Sequence, residues 1–161
     1  GSFGVYWTTR LAVSTRINLV GVVSQSGPLS HTFDKTQLQS VFSGKEYLYD
    51  CLPAFQALLS ESKNEDEFFD KIKSQSIENS RENPLVIDCP MLIVGGVLDS
   101  LVPMSDLVSI LTSDGGIREA WINPNGIHMG RERGENACWR DGEIYQKVIC
   151  PWIIEKFSMH E

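Results

Sequence analysis

The chain has 161 residues, the size of one domain, and 42% of them are hydrophobic, enough to build a core rather than remain disordered. Its formal net charge of −7 argues against a nucleic-acid-binding surface, which needs a basic face. No apolar run reaches the roughly 18–20 residues of a membrane span, and no basic segment followed by an apolar stretch marks a signal peptide, so neither nucleic acid nor membrane is expected as a partner.

Val5 to Ser14 reads as a helix. Ile17 to Ser24 (INLVGVVS) is short, apolar and rich in β-branched residues, and Gly27-Pro28 bounds it, so it reads as a buried strand. Residues 31–82 change character. Helical stretches are expected around Lys45–Ser60 and Glu65–Ile77, where Phe68, Phe69, Ile72 and Ile77 form an approximate stripe. Pro90 opens a second buried strand, Met91–Val97 (MLIVGGV). A helix follows over Met104–Thr112 with Pro103 near its start. Arg118–Ile122 is a third strand, and a helix from about Glu143 to Phe157, interrupted by Pro151, closes the chain. Strand and helix alternate, which predicts a mostly parallel α/β sheet with helices on both faces. Three parallel strands make a poor core alone, so further strands are expected from an N-terminal part of the same protein.

Parallel sheets carry functional groups at the carboxyl ends of their strands. Asp99 follows the second strand (GGVLDSLVP), and His128 follows the third (NPNGIHMG). Ser2 stands directly before the first helix. Gly1-Ser2 reads either as an expression remnant or as part of G-x-S-x-G, the turn that presents a nucleophilic serine. The acid and histidine downstream favour the second reading. A serine hydroxyl is a weak nucleophile until a histidine accepts its proton, and an aspartate must fix that histidine's tautomer. The order Ser, Asp, His is that of the α/β-hydrolases. Ser2, Asp99 and His128 are therefore the candidate catalytic residues. Phe3 is the candidate oxyanion-hole residue through its backbone N–H, and a second donor is expected from an earlier loop.

Four cysteines, Cys51, Cys89, Cys138 and Cys150, form no C-x-x-C pair and lie at no zinc-site spacing from a histidine. Free thiols in a reducing, cytoplasmic compartment are expected, with no metal site.

These segments resemble those of a known group. GSFGVYWTTRLA at the elbow, EYLYDCLPAF (Glu46–Phe55), GGVLDSLVP (Gly95–Pro103), GIHMG (Gly126–Gly130) and ICPWIIEKF (Ile149–Phe157) are similar to fungal α/β-hydrolases that shorten polyketides in pigment pathways, and more distantly to FrsA-like hydrolases. The resemblance implies the C-terminal part of an α/β-hydrolase fold that begins at the nucleophile elbow. Residues 1–30 and 83–161 would form the core and 31–82 a helical cap. It also implies a cofactor-free serine hydrolase that cleaves a C–C bond beside a ketone, or an ester or lactone bond, in a polyketide-like or aromatic small molecule. Tyr47, Tyr49, Phe55, Phe68, Phe69 and Met129 are the candidate substrate contacts. A non-hydrolytic protein that guides cyclisation or dehydration of a bound intermediate is the alternative, and a purely binding or regulatory protein is a third reading. A homodimer is compatible with all three.

Overall fold

The computed structural model describes residues 1–13, 18–43, 57, 60–78, 82 and 84–159. In chain order the elements are α1 (Phe3–Val13), β1 (Val22–Gln25), α2 (Lys35–Ser43), α3 (Glu65–Lys73), β2 (Val86–Ile87), β3 (Met91–Gly96), α4 (Met104–Leu111), β4 (Asp114–Gly115), β5 (Arg118–Asn123), α5 (Asp141–Ile144) and α6 (Cys150–Ser158). Single 3-10 turns lie at His31–Phe33 and His128–Gly130.

All six residues of β3 are buried. They alternate between two cores, as a strand's twofold period requires. Met91 and Ile93 join Leu107 and Ile110 of α4, with Ala12 of α1 packed beside them. Leu92 and Val94 face the other way, toward Ile144, Ile149 and Trp152 of the C-terminal helices. A strand buried on both faces reads as a continuous apolar run, which is why MLIV was legible. β3 lies between β1 and β5, and both pairings are parallel. β2 and β4 form a separate two-residue parallel pair, too short to show a period in the sequence. The fold is thus mixed α/β, with a parallel core sheet flanked by helices and with extra helical insertions.

Some expectations need adjustment. β1 begins at Val22 rather than near residue 17. Its ladder starts where Val22 pairs with Met91 and the Val22 N–H reaches the Pro90 carbonyl at 2.9 Å; Pro90 has no N–H with which to extend the ladder backwards. The closing helix is not a simple break at Pro151. Tyr145–Ile149 widens into a π-turn between α5 and α6, accommodating a ring that would clash with the preceding turn's carbonyl. A helix also forms over Lys35–Ser43, where none was expected. The helix expected over 45–60 lies almost wholly outside the described residues. α3 starts where its sequence directs: Asn64 accepts from the Glu67 N–H at 2.8 Å, acids occupy the first turn and lysines the last; it ends at Lys73, short of the expected Ile77, whose N–H instead reaches the Leu29 carbonyl at 2.9 Å. Among the described residues, no helix is long and apolar enough to cross a membrane.

A buried carboxylate anchors the chain that follows β1. Asp106 of α4 is fully buried and accepts from the backbone N–H groups of Leu29, Ser30, His31 and Thr32 at 2.7–3.1 Å. The Thr32 hydroxyl donates at 2.6 Å, and His31 Nδ1 lies 3.1 Å away. Burial alone would raise the Asp106 pKa, but these donors outweigh it and hold the carboxyl below the ordinary aspartate range. The folded state therefore binds this proton less tightly than the unfolded chain. The contribution to stability is complete above the ordinary value of about 3.9 and is lost as pH falls from there through the folded value. Asp106→Ala is expected to cost about 3 kcal/mol or more in urea unfolding, because several buried donors lose their acceptor. In wild type, the unfolding midpoint should fall as pH drops below about 4, and in Asp106→Ala it should fall less steeply.

Candidate active site

Three polar residues meet at the carboxyl edge of the sheet. Ser2 occupies the turn before α1 with φ 53°, a left-handed conformation that few non-glycine residues adopt. The turn is closed by bonds from Gly4 N–H to the Gly1 carbonyl at 3.1 Å and from Val5 N–H to the Ser2 carbonyl at 2.9 Å. The Ser2 N–H itself reaches the carbonyl of Gln25, the last residue of β1, at 2.8 Å. Ser2 Oγ stands 3.0 Å from His128 Nε2. The other ring nitrogen, Nδ1, lies 3.0 Å from Asp99 Oδ2 and 3.2 Å from Oδ1. An acceptor at Nδ1 favours the tautomer with its proton there, leaving Nε2 as an acceptor toward Ser2.

Each side chain is fixed by the backbone around it. Asp99 sits in the loop after β3, and its Oδ1 accepts from the N–H groups of Leu101 and Val102 at 2.9 and 3.0 Å. His128 follows β5 in a loop that approaches β3 so closely that a Cβ on Gly96 would stand 2.1 Å from the Gly126 carbonyl oxygen; only glycine fits there. The Arg131 side chain caps the His128 carbonyl at 3.0 Å. The Asp99 and His128 side chains are both almost fully buried. Burial works to raise the Asp99 pKa, yet the His128 hydrogen bond and charge, followed by the two backbone donors, bring it below the usual aspartate range. Asp99 is therefore a carboxylate at neutral pH. Phe3 is the first residue of α1, so its N–H has no acceptor within the helix.

A cavity of about 420 Å3 opens beside Ser2 and His128, within the usual size of a small-molecule site. Phe3, Tyr6 and Trp7 of α1 form one wall, and Leu101 and Val102 flank the Asp99 loop. Phe33, Leu38, Phe68, Ile72 and Gln75 from the inserted segment form the other wall. No aspartate, glutamate, lysine or arginine is among its described lining residues. The Tyr6 hydroxyl already donates to the Gln75 carbonyl at 2.6 Å and accepts from Arg10 at 2.6 Å. Thr32 is committed to Asp106.

Of the expected substrate contacts, Phe68 lines this cavity. Phe69 and Met129 do not appear among its lining residues. Successive helical residues point about 100° apart, so Phe69 turns instead toward Lys35, whose Nζ lies 5.1 Å from the ring centroid. Met129 packs its methyl over Gly1, 2.6 Å from where a Cβ would stand. Tyr47, Tyr49 and Phe55 lie outside the described residues. Gln25 and Ser26, which contact the Ser2 turn and the histidine loop, were not singled out from the sequence. The signal was present, since a polar Ser-Gln-Ser run closes an apolar strand at its carboxyl end. Cys89, Cys138 and Cys150 are free thiols, and Cys51 is outside the described residues. No group of three or more histidine, cysteine or acidic side chains among the described residues is placed to hold a metal ion.

The parallel sheet, the helices on both faces and the helical insertion define an α/β-hydrolase-like fold with a cap. Solved structures share it. Acetyl xylan esterase 1 from a Thermoanaerobacterium species is 17% identical, matches 97% of this chain and 44% of its own length, and superposes with a TM-score of 0.58. Alpha/beta hydrolase domain-containing protein 10 from mouse is 12% identical over 98% of this chain and 60% of its own, with a TM-score of 0.59. The chain thus spans less than two thirds of the length of either structure. No family model and no curated protein matches the chain.

The Asp99 carboxyl is expected to titrate below the range of an ordinary aspartate in a carbon-13 NMR titration. A midpoint at or above the ordinary value of about 3.9 would mean that His128 and the two backbone donors do not outweigh its burial.

Proposed function

We propose that the protein is a serine hydrolase acting on a carbonyl compound that is uncharged next to the reacting carbon. The observation that carries this reading is the continuous hydrogen-bonded line from Ser2 Oγ through both nitrogens of His128 to Asp99, with steps of 3.0 Å. Such a line activates a hydroxyl that is otherwise inert at neutral pH.

In this reading Ser2 Oγ attacks the carbonyl carbon as its proton passes to His128 Nε2. Asp99 stabilises the imidazolium, and the Phe3 N–H donates to the developing oxyanion. The tetrahedral intermediate then collapses. The bond to the leaving group breaks, and His128 returns the proton to it, leaving an acyl-serine. For an ester or lactone the leaving group is an alcohol. For a C–C bond beside a ketone it is an enolate or stabilised carbanion. Water then attacks the acyl-serine as His128 takes its proton, and Ser2 is released with a carboxylic acid. The apolar, aromatic cavity supports a polyketide-like or aromatic substrate. We assign residues 31–82 to a lid over the site and residues 1–30 and 83–161 to the core. The cavity wall formed by Phe33, Leu38, Phe68 and Ile72 supports that division.

Ser2→Ala and His128→Ala should each lower turnover of an aryl ester or an aryl β-diketone by about 1,000-fold or more, with the fold intact by circular dichroism. Asp99→Asn should be comparably severe because it reverses the tautomer preference. Mass spectrometry of products formed in oxygen-18 water distinguishes the readings: hydrolysis places one label in the carboxylic acid, whereas cyclisation or dehydration of a bound intermediate places none. Unchanged turnover in Ser2→Ala would refute the nucleophile assignment.

A further inference from the structure

We propose that Gln25 and Ser26, at the end of β1, are positioning residues that hold the Ser2 turn and the His128 loop in register. The inference rests on the serine-hydrolase reading above. Two consecutive residues bond to the backbone of Ser2 and to that of Met129, the residue after His128. The Gln25 carbonyl accepts from the Ser2 N–H at 2.8 Å. The Gln25 side-chain amide donates to the Met129 carbonyl at 3.1 Å, and the Ser26 hydroxyl accepts from the Met129 N–H at 2.8 Å. Met129 directly follows His128, so both backbone polar groups of the next residue are pinned to the last residue of β1 and the one after it. Ser26 is in turn fixed to the central strand, its N–H reaching the Val94 carbonyl at 2.8 Å.

Two further observations set this brace apart from ordinary loop packing. Among the described residues, the non-glycine positions with positive φ are Ser2 (53°), Ser26 (46°) and Met129 (65°). All three belong to this one network. Such conformations cost of order 1–3 kcal/mol each and persist where surrounding structure over-determines them, most often at functional sites. The second observation is a buried amide oxygen. Gln25 is 1% exposed, and its Oε1 has no hydrogen-bond partner among the described residues. Leaving a buried acceptor unpaired is unfavourable, so an apolar residue of the same shape would serve the core at least as well. What the amide adds is its N–H bond to the histidine loop. Gln25 and Ser26 touch no reacting atom in this arrangement; they act through Ser2 and His128.

The test uses a fluorophosphonate, which needs the Ser2–His128 pair but not the natural substrate. The Ser2 Oγ–P bond forms as the P–F bond breaks, fluoride leaves, and the hydroxyl proton passes to His128. Labelling of Ser2 should be about 10- to 100-fold slower in Gln25→Met and in Ser26→Ala, as expected for a displacement of the order of 1 Å. Gln25→Met removes both the unpaired oxygen and the bond to the Met129 carbonyl, so its thermal midpoint should stay close to that of wild type. The low-field proton resonance of His128 Nδ1–H should shift or broaden in both variants, which a purely structural role would not produce. If Ser26→Ala does not fold, Gln25→Met decides alone. Wild-type labelling rates in the folded variants would overturn the brace while leaving the hydrolase reading intact. A wild-type protein that is not labelled at Ser2 would overturn both.

Discussion

β3 is buried on both faces, and its ladders to β1 and β5 fix where those two strands end. Val22–Gln25 pairs with Met91–Val94, and Arg118–Asn123 pairs with Met91–Gly96. Because all three strands run parallel, their carboxyl ends emerge on one edge. The loops that leave that edge carry Ser26, Asp99 and His128, and the Ser2 turn hangs from the carbonyl of Gln25. A slip of one residue in either ladder would turn side chains to the wrong face and displace a loop by about 3.3 Å. That exceeds the 3.0 Å line between Ser2 and His128. Register in the parallel sheet therefore sets the geometry of the site.

The two buried carboxylates show how one charge problem is resolved twice. Asp106 is surrounded by backbone donors, and its product is structural: it ties residues 29–32, which follow β1, to α4. Asp99 takes only two backbone donors, both on Oδ1, and turns to His128. Both are held below the ordinary aspartate range against the opposing effect of burial. The difference lies in which donors face them. Asp106 meets four N–H groups and a hydroxyl, whereas Asp99 meets a ring whose second nitrogen reaches a serine. Asp106 in turn ties the segment that contributes Thr32 and Phe33 to the cavity wall, so the shape of the cavity depends on a group remote from its chemistry.

The sequence by itself determined the class of fold. The apolar run of β3, the Pro103 signal before α4 and the acid-to-lysine gradient of α3 are local, and each follows from periodicity, backbone restriction or helix electrostatics. Asp99 and His128 were legible as partners because both lie past the carboxyl ends of neighbouring parallel strands. The start of β1, the π-turn before Pro151 and the roles of Gln25, Ser26 and Asp106 were decided only by the tertiary structure. Each depends on a partner far away in the chain: Met91 for β1, the loop at 29–32 for Asp106, and Met129 for the brace. A glutamine or an aspartate in a sequence carries its hydrogen-bonding capacity but not the identity of what meets it. That identity is set when the chain closes and burial removes water as the competing partner.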